Sequence, residues 1–168
     1  VPDEGPLLVL IGAPAAGKTR LGKRVARILD VPFVDTDKRI VAAHGAIADI
    51  FAQHGEPHFR ALERAAVAEA LSEVAVVALG GGAVLHADTQ ADLAAHRIVL
   101  LTVSRSAVEA RITNGKRPLV AGVDSWQALV DARRPLYESL ATRTFDTSHR
   151  PLDDIAADIA RWIQENDS

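Results

Sequence analysis

The sequence predicts an α/β fold of three layers, with helices on both faces of a five-stranded parallel sheet. Three observations predict it. Five short apolar runs alternate with longer segments of helical period, the pattern of strand–helix–strand crossovers. The clearest runs are apolar at every position, as strands covered on both faces are. At 168 residues the chain has the length of one domain, roughly 100–200 residues, and no repeat or linker divides it.

The first strand covers residues 7–11 and stops at Gly12. Helical period runs from Lys18 to about Leu29, with Leu21, Val25, Ile28 and Leu29 on one face. Asp30-Val31-Pro32 ends that helix, and Phe33-Val34-Asp35 is a short second strand. Residues 38–73 carry no strand signal and read as two or three helices broken near Gly45 and Gly55. A third strand, residues 74–79, closes on Gly80-Gly81-Gly82. A polar helix at about 88–95 leads to a fourth strand at 97–103. The next helix is expected from Ser106, as its N-cap, to about Arg111. Residues 112–124, with Gly115, Pro118 and Gly122, lack periodicity and read as a mobile loop. Helices at about 125–142 and 152–164 flank a last short strand at 143–146.

Composition narrows the function. The 19 basic and 22 acidic residues give a net charge of −3, opposite in sign to a general nucleic-acid binder. No run approaches the ~20 apolar residues of a membrane span. The start of the chain, with Asp3 and Glu4, lacks the design of a secretory signal. There is no cysteine, which excludes thiolate catalysis and Cys-ligated zinc and suits a reducing compartment. A cytoplasmic protein with neither nucleic-acid nor membrane partners is expected. Arginines outnumber lysines 15 to 4. Compositional bias accounts for most of that skew, although Arg is also the residue for bidentate grip on carboxylate and phosphate.

The chemistry begins at Gly12-Ala13-Pro14-Ala15-Ala16-Gly17-Lys18-Thr19, which fits G-x-x-x-x-G-K-[ST] between a strand and a helix. Loop amides and the helix N-terminus then face a phosphate. Lys18 reaches the β- and γ-phosphates, and the Thr19 hydroxyl ligates Mg²⁺. This is a nucleoside triphosphate site. Asp35-Thr36-Asp37 follows the second strand. On an extended segment, positions i and i+2 point the same way. Asp35 then serves the metal's water shell, and Asp37 faces an acceptor hydroxyl. The alternative is that Asp37 caps the following helix. No N-K-x-D segment for guanine is present. A short chain, an early acidic pair and a mobile loop suit a small-metabolite or nucleotide kinase whose lid excludes water. Taken alone, Gly80-Gly81-Gly82 reads equally as a tight strand exit. His54 and His58 are separated by Gly55 and Pro57 and have no third ligand nearby.

Over about residues 7–163 the chain resembles the shikimate kinase family, within the group of P-loop kinases like the nucleoside-monophosphate kinases. The resemblance rests on the phosphate loop and Asp35-Thr36-Asp37, then on Ile47-Ala48-Asp49-Ile50-Phe51, Gly55-Glu56 and Phe59-Arg60-x-x-Glu63. It continues through Leu79-Gly80-Gly81-Gly82-Ala83, Arg117-Pro118-Leu119 and Arg133-x-Pro135-Leu136-Tyr137. It implies ATP-dependent, Mg²⁺-assisted phosphorylation of the 3-hydroxyl of shikimate, in aromatic amino-acid precursor synthesis, by a monomer. By the same resemblance Arg60 and Arg133 grip the shikimate carboxylate, and Asp37 takes the ring hydroxyls as the base. The turn Gly80, Gly81 and Gly82 approaches the substrate, and Glu63 orients Arg60. Phe51 and Phe59 form an apolar wall. Arg117 becomes the lid arginine over the phosphates, while Arg111 and Pro151 hold adenine. One domain, 1–168, is expected, with its phosphate loop at 12–19, a substrate region at about 35–64 and the lid at about 112–124.

Two departures stand out. Ala15 occupies a position where the family usually has Gly, and Arg20 one where a hydroxyl residue is common. A loop needing positive φ at residue 15 costs Ala about 1 kcal/mol of strain. Rival readings are a gluconate-type sugar-acid kinase, a nucleoside-monophosphate kinase and a binding module without turnover.

Overall fold

In β1 (Leu8–Ile11), Leu8 and Leu10 face one side of the sheet and Val9 and Ile11 the other, and all four are buried. That is the double burial that an unbroken apolar run calls for. The computed structural model describes residues 5–113 and 122–167. The other strands are β2 (Phe33–Asp35), β3 (Val76–Ala78), β4 (Ile98–Thr102) and β5 (Arg143–Asp146). They join in the order β2-β3-β1-β4-β5, every pairing parallel.

Helix α1 (Lys18–Leu29) and helix α8 (Leu152–Glu165) cover the first face. Leu21, Val25, Ile155, Ile159 and Ile163 pack there on Leu8, Leu10, Val76, Val99 and Leu101. The second face meets α4 (Glu56–Ala70), α5 (Ala87–Leu93) and α7 (Gly122–Leu140), through Val67, Leu93 and Tyr137 among others. Beside this body, α2 (Thr36–His44) and α3 (Ile47–His54) share with α4 a small cluster of Ile40, Ile50 and Phe59. Helix α6 (Arg105–Thr113) completes the set among the described residues. Gly45 (φ 90°) and Gly55 (φ 84°) break the 36–70 segment where the sequence places its stops, and His54 and His58 fall on separate helices.

Three local expectations need correction. Helix α2 opens at Thr36, immediately after β2, so Asp37 is helical and not on an extended segment. The cap is Asp35, whose Oδ1 accepts the Lys38 amide at 3.2 Å. That contact satisfies an otherwise orphaned donor and lets the helix start without a linker. Helix α6 starts at Arg105, and its cap is Ser104, whose Oγ accepts the Ala107 amide at 3.2 Å, rather than Ser106. The ends of α6 and α7 reach into the segment expected as the loop 112–124, at 112–113 and 122–124. Residues 114–121 of the expected lid lie outside the described residues.

Ala15 has φ 71°, the left-handed region that costs an L-residue about 1 kcal/mol or more. The strain that the sequence makes conditional is therefore present. Gly22 marks a tight approach of α1 to the sheet: a Cβ there would overlap the Phe33 ring and sit 3.0 Å from Leu10 Cδ1. Gly22→Val is expected to lower stability by ~1–3 kcal/mol through overpacking, read from the midpoint of urea unfolding. An unchanged midpoint would show that α1 stands off the sheet.

Candidate active site

All five strands are parallel, so their C-terminal ends share one edge, where open α/β sheets bind ligands. Gly12 follows β1 there, Asp35 ends β2, Gly80 lies just past β3, Ser104 past β4 and Thr147 past β5. The order of the strands thus gathers residues far apart in sequence.

The loop between β1 and α1 is held by its carbonyls. Lys18 Nζ donates to the carbonyls of Gly12 (2.6 Å) and Ala13 (3.0 Å). Trp126 Nε1 donates to Pro14 O (2.7 Å), Arg111 Nη1 to Ala15 O (2.7 Å) and Thr147 Oγ1 to Ala16 O (2.8 Å). In a planar trans peptide the next N–H points opposite to the carbonyl. Pinning the Pro14 and Ala16 carbonyls therefore turns the Ala15 and Gly17 amides the other way. Ala15 and Gly17 wall two clefts. One, about 590 Å³ of open space, is lined by Lys18, Thr19, Asp35, Asp37, Gly80 and Gly81. The other, about 810 Å³, is lined by Arg111, Thr147, His149 and Arg150 among others.

In the first cleft Thr19 Oγ1 donates to Asp35 Oδ2 at 2.7 Å. Despite its helical backbone, Asp37 reaches the same cleft as Asp35. Its Oδ1 is buried with no hydrogen-bond partner among the described residues. Burial, and secondarily Asp35, raise the Asp37 carboxyl above its ordinary range, while Lys18 and Arg60 pull it back.

The three glycines after β3 explain how the remaining charges fit. A Cβ on Gly80 would overlap the Asp37 carboxylate. One on Gly81 would sit 3.3 Å from Arg133 Nη1, and one on Gly82 would sit 2.5 Å from Arg60 Nη1. Each glycine leaves room for one charged side chain from another element, which is more than a tight strand exit requires. Arg60, on α4, donates to Glu63 Oε1 at 2.8 Å and lies 3.6 Å from Glu56 Oε1. Glu63 is only 4% exposed; burial raises its carboxyl and Arg60 opposes that shift. Phe59 is buried, and Phe51 stacks on it at 4.9 Å between ring centres.

Arg111 faces the second cleft, where its other guanidinium nitrogen donates to Thr147 O at 2.8 Å. Pro151 caps α8 between Arg150 and Leu152, which line that cleft. Arg117 and Lys116 lie outside the described residues. Sequence reasoning missed three contributors: Trp126, Thr147 and Tyr137, whose hydroxyl donates to Gly81 O at 2.7 Å. Only Tyr137 left a signal, four residues beyond Arg133 and so on the same helical face.

A model of the shikimate kinase family matches residues 14–164. The shikimate kinase of Thermobifida fusca is 47% identical over 163 residues, covering 94% of this chain and 95% of its own. That of Corynebacterium efficiens is 40% identical, covering 96% and 98%. Among solved structures, shikimate kinase from Acinetobacter baumannii in complex with shikimate superposes with a TM-score of 0.84 at 31% identity, covering 96% of this chain and 94% of its own. Each of these proteins is matched over nearly its whole length, and the chain belongs to the shikimate kinase family.

Proposed function

We propose that this chain transfers the γ-phosphoryl group of ATP to the 3-hydroxyl of shikimate, giving shikimate 3-phosphate and ADP on the route to aromatic amino acids. The observation that carries this reading is the glycine turn 80–82, which admits one carboxylate and two guanidiniums side by side. Shikimate offers hydroxyls and a carboxylate to match. Arg60 and Arg133 grip the carboxylate, each charge-assisted hydrogen bond contributing ~1.5–3 kcal/mol. Glu63 fixes the Arg60 guanidinium from within the protein, and Phe51 and Phe59 back the ring. The turn Gly80–Gly82 brings backbone close to the hydroxyls.

Asp37 accepts the proton of the 3-hydroxyl as its oxygen bonds to the γ-phosphorus. The bond from that phosphorus to the β,γ-bridging oxygen breaks, and its electron pair leaves with ADP. Lys18 and the loop amides from Gly12 to Thr19 hold the phosphates. Arg111 and Pro151 flank the base; the family resemblance assigns the transferring phosphate to Arg117, a residue of the expected lid at about 112–124 that itself lies outside the described residues. Thr19 and Asp35 present only oxygen donors, which fits Mg²⁺ as the cofactor; when bound, it neutralises charge on the phosphates. As the family resemblance implies, we read the enzyme as a monomer, with residues 1–168 acting as one domain. Among the described residues no helix is long and apolar enough to cross a membrane; we read the enzyme as cytoplasmic.

A coupled assay of ADP release with shikimate and gluconate side by side tests the reaction. Turnover with shikimate alone is expected, and turnover with gluconate alone overturns the reading. Asp37→Asn is expected to lower kcat on the order of 10²–10⁴-fold without loss of stability. The sign follows from the raised carboxyl: its favourable protonated form is fully present below the ordinary 3.8 and lost as pH rises through the raised value. At neutral pH the ionised Asp37 therefore weakens the fold, and the amide relieves that. In the parent enzyme, activity should fall with pH through a value above 3.8; a limb at or below it would remove Asp37 as base. Arg60→Lys should raise the shikimate KM roughly tenfold or more, because an ammonium cannot reproduce the fork, with the ATP KM unchanged. An unaltered shikimate KM would take Arg60 out of the site.

A further inference from the structure

Helix α7 touches both halves of the site from behind. Trp126, Val130, Arg133 and Tyr137 are spaced by steps of four and three, so they share one face. Near the start of the helix the Trp126 indole N–H meets Pro14 O at 2.7 Å. About three turns later, ~16 Å along the axis, the Tyr137 hydroxyl meets Gly81 O at 2.7 Å. Both rings are buried, at 4% and 3% exposure. Between them lies a partly open cleft of about 460 Å³, lined by Ala13, Ala16, Leu100 and Val130 among others, and Val130 packs beside it on the cluster of Ala13, Val108 and Trp126. The two hydrogen bonds therefore tie α7 to one loop near each of its ends.

Both loops that α7 touches need an outside anchor. The phosphate loop carries Ala15 at φ 71°, and such strain persists only where the surroundings over-determine it. The glycine turn must lack side chains to admit Asp37, Arg60 and Arg133, yet three successive glycines are the most freely varying backbone a chain can have. Tyr137 restrains the middle one. Arg133 lies one helical turn before Tyr137 on the same face, and its Nη1 sits 3.3 Å from where a Gly81 Cβ would stand, so the residue that Tyr137 restrains also borders a carboxylate-gripping arginine.

We propose that α7 is a common brace for the two substrate sites: Trp126 positions the phosphate loop through the Pro14 carbonyl, and Tyr137 positions the glycine turn through the Gly81 carbonyl. Both are positioning residues that touch neither substrate. The Tyr137 half rests on the reading of shikimate as acceptor; the Trp126 half requires only a nucleotide.

Two substitutions that each remove one donor separate this role from ordinary core packing. Trp126→Phe is expected to raise the ATP KM, and the Kd for ADP by calorimetry, roughly three- to tenfold, with the shikimate KM within twofold of the parent. Tyr137→Phe is expected to do the reverse, raising the shikimate KM by a similar factor and sparing ADP binding. A purely structural role would move both constants together or only the melting temperature, and either result overturns the proposal. Tyr137→Phe removes a single oxygen and keeps the test decisive if Trp126→Phe does not fold. If the parent enzyme fails to turn over shikimate, the functional reading falls, while the ADP titration of Trp126→Phe still decides the phosphate-loop half.

Discussion

One carboxylate and two guanidiniums crowd against three consecutive peptide units, and a Cβ at the first or third would overlap a charged group where those groups now stand. Asp37 and Arg60 occupy the space that a Cβ on Gly80 or Gly82 would claim, and Arg133 Nη1 sits 3.3 Å from one on Gly81. They come from α2, α4 and α7, so the turn after β3 fixes where three separate helices can place their charges. The parallel sheet makes this possible by bringing the ends of β1, β2 and β3 to one edge. The phosphate loop then faces Asp37 across a single cleft.

The electrostatics follow from that crowding. Asp37 is partly stripped of water and sits beside a second carboxylate, which makes it a better proton acceptor than an exposed aspartate. Lys18 and Arg60 nearby offset part of its cost to stability. Glu63 is buried against Arg60, and removing either partner would strand the other's charge. A net charge of −3 does not hinder two anionic substrates when the cations of the cleft are gathered in this way. Several other arginines are spent on surface pairs, such as Arg24 with Asp153 and Arg150 with Asp158.

The parts written in local pattern were legible in the sequence. Unbroken apolar runs and glycine stops located the sheet, and Gly12–Thr19 located the phosphate loop. The positions that failed turned on a shift of one or two residues with no local signal. Asp35 and Asp37 are both good caps, and Ser104 and Ser106 likewise; in the fold the first of each pair accepts the amide. The carbonyl pins were beyond reach because they join residues 112 (Trp126 to Pro14), 131 (Thr147 to Ala16) and 56 (Tyr137 to Gly81) positions apart. A buried Trp or Tyr reads as core until the fold shows where its polar tip ends. The triple glycine was visible, but that each glycine faces a different charged side chain was not.

The most direct test of the glycine turn as the organiser of the acceptor site is the shikimate-dependent release of ADP by Gly80→Ala, measured beside its Kd for ADP. The added methyl must displace the Asp37 carboxylate. The account predicts a loss of kcat of roughly tenfold or more, because small displacements of a reacting group cost rate steeply, with the Kd for ADP within twofold of the parent. Full turnover in Gly80→Ala would contradict it.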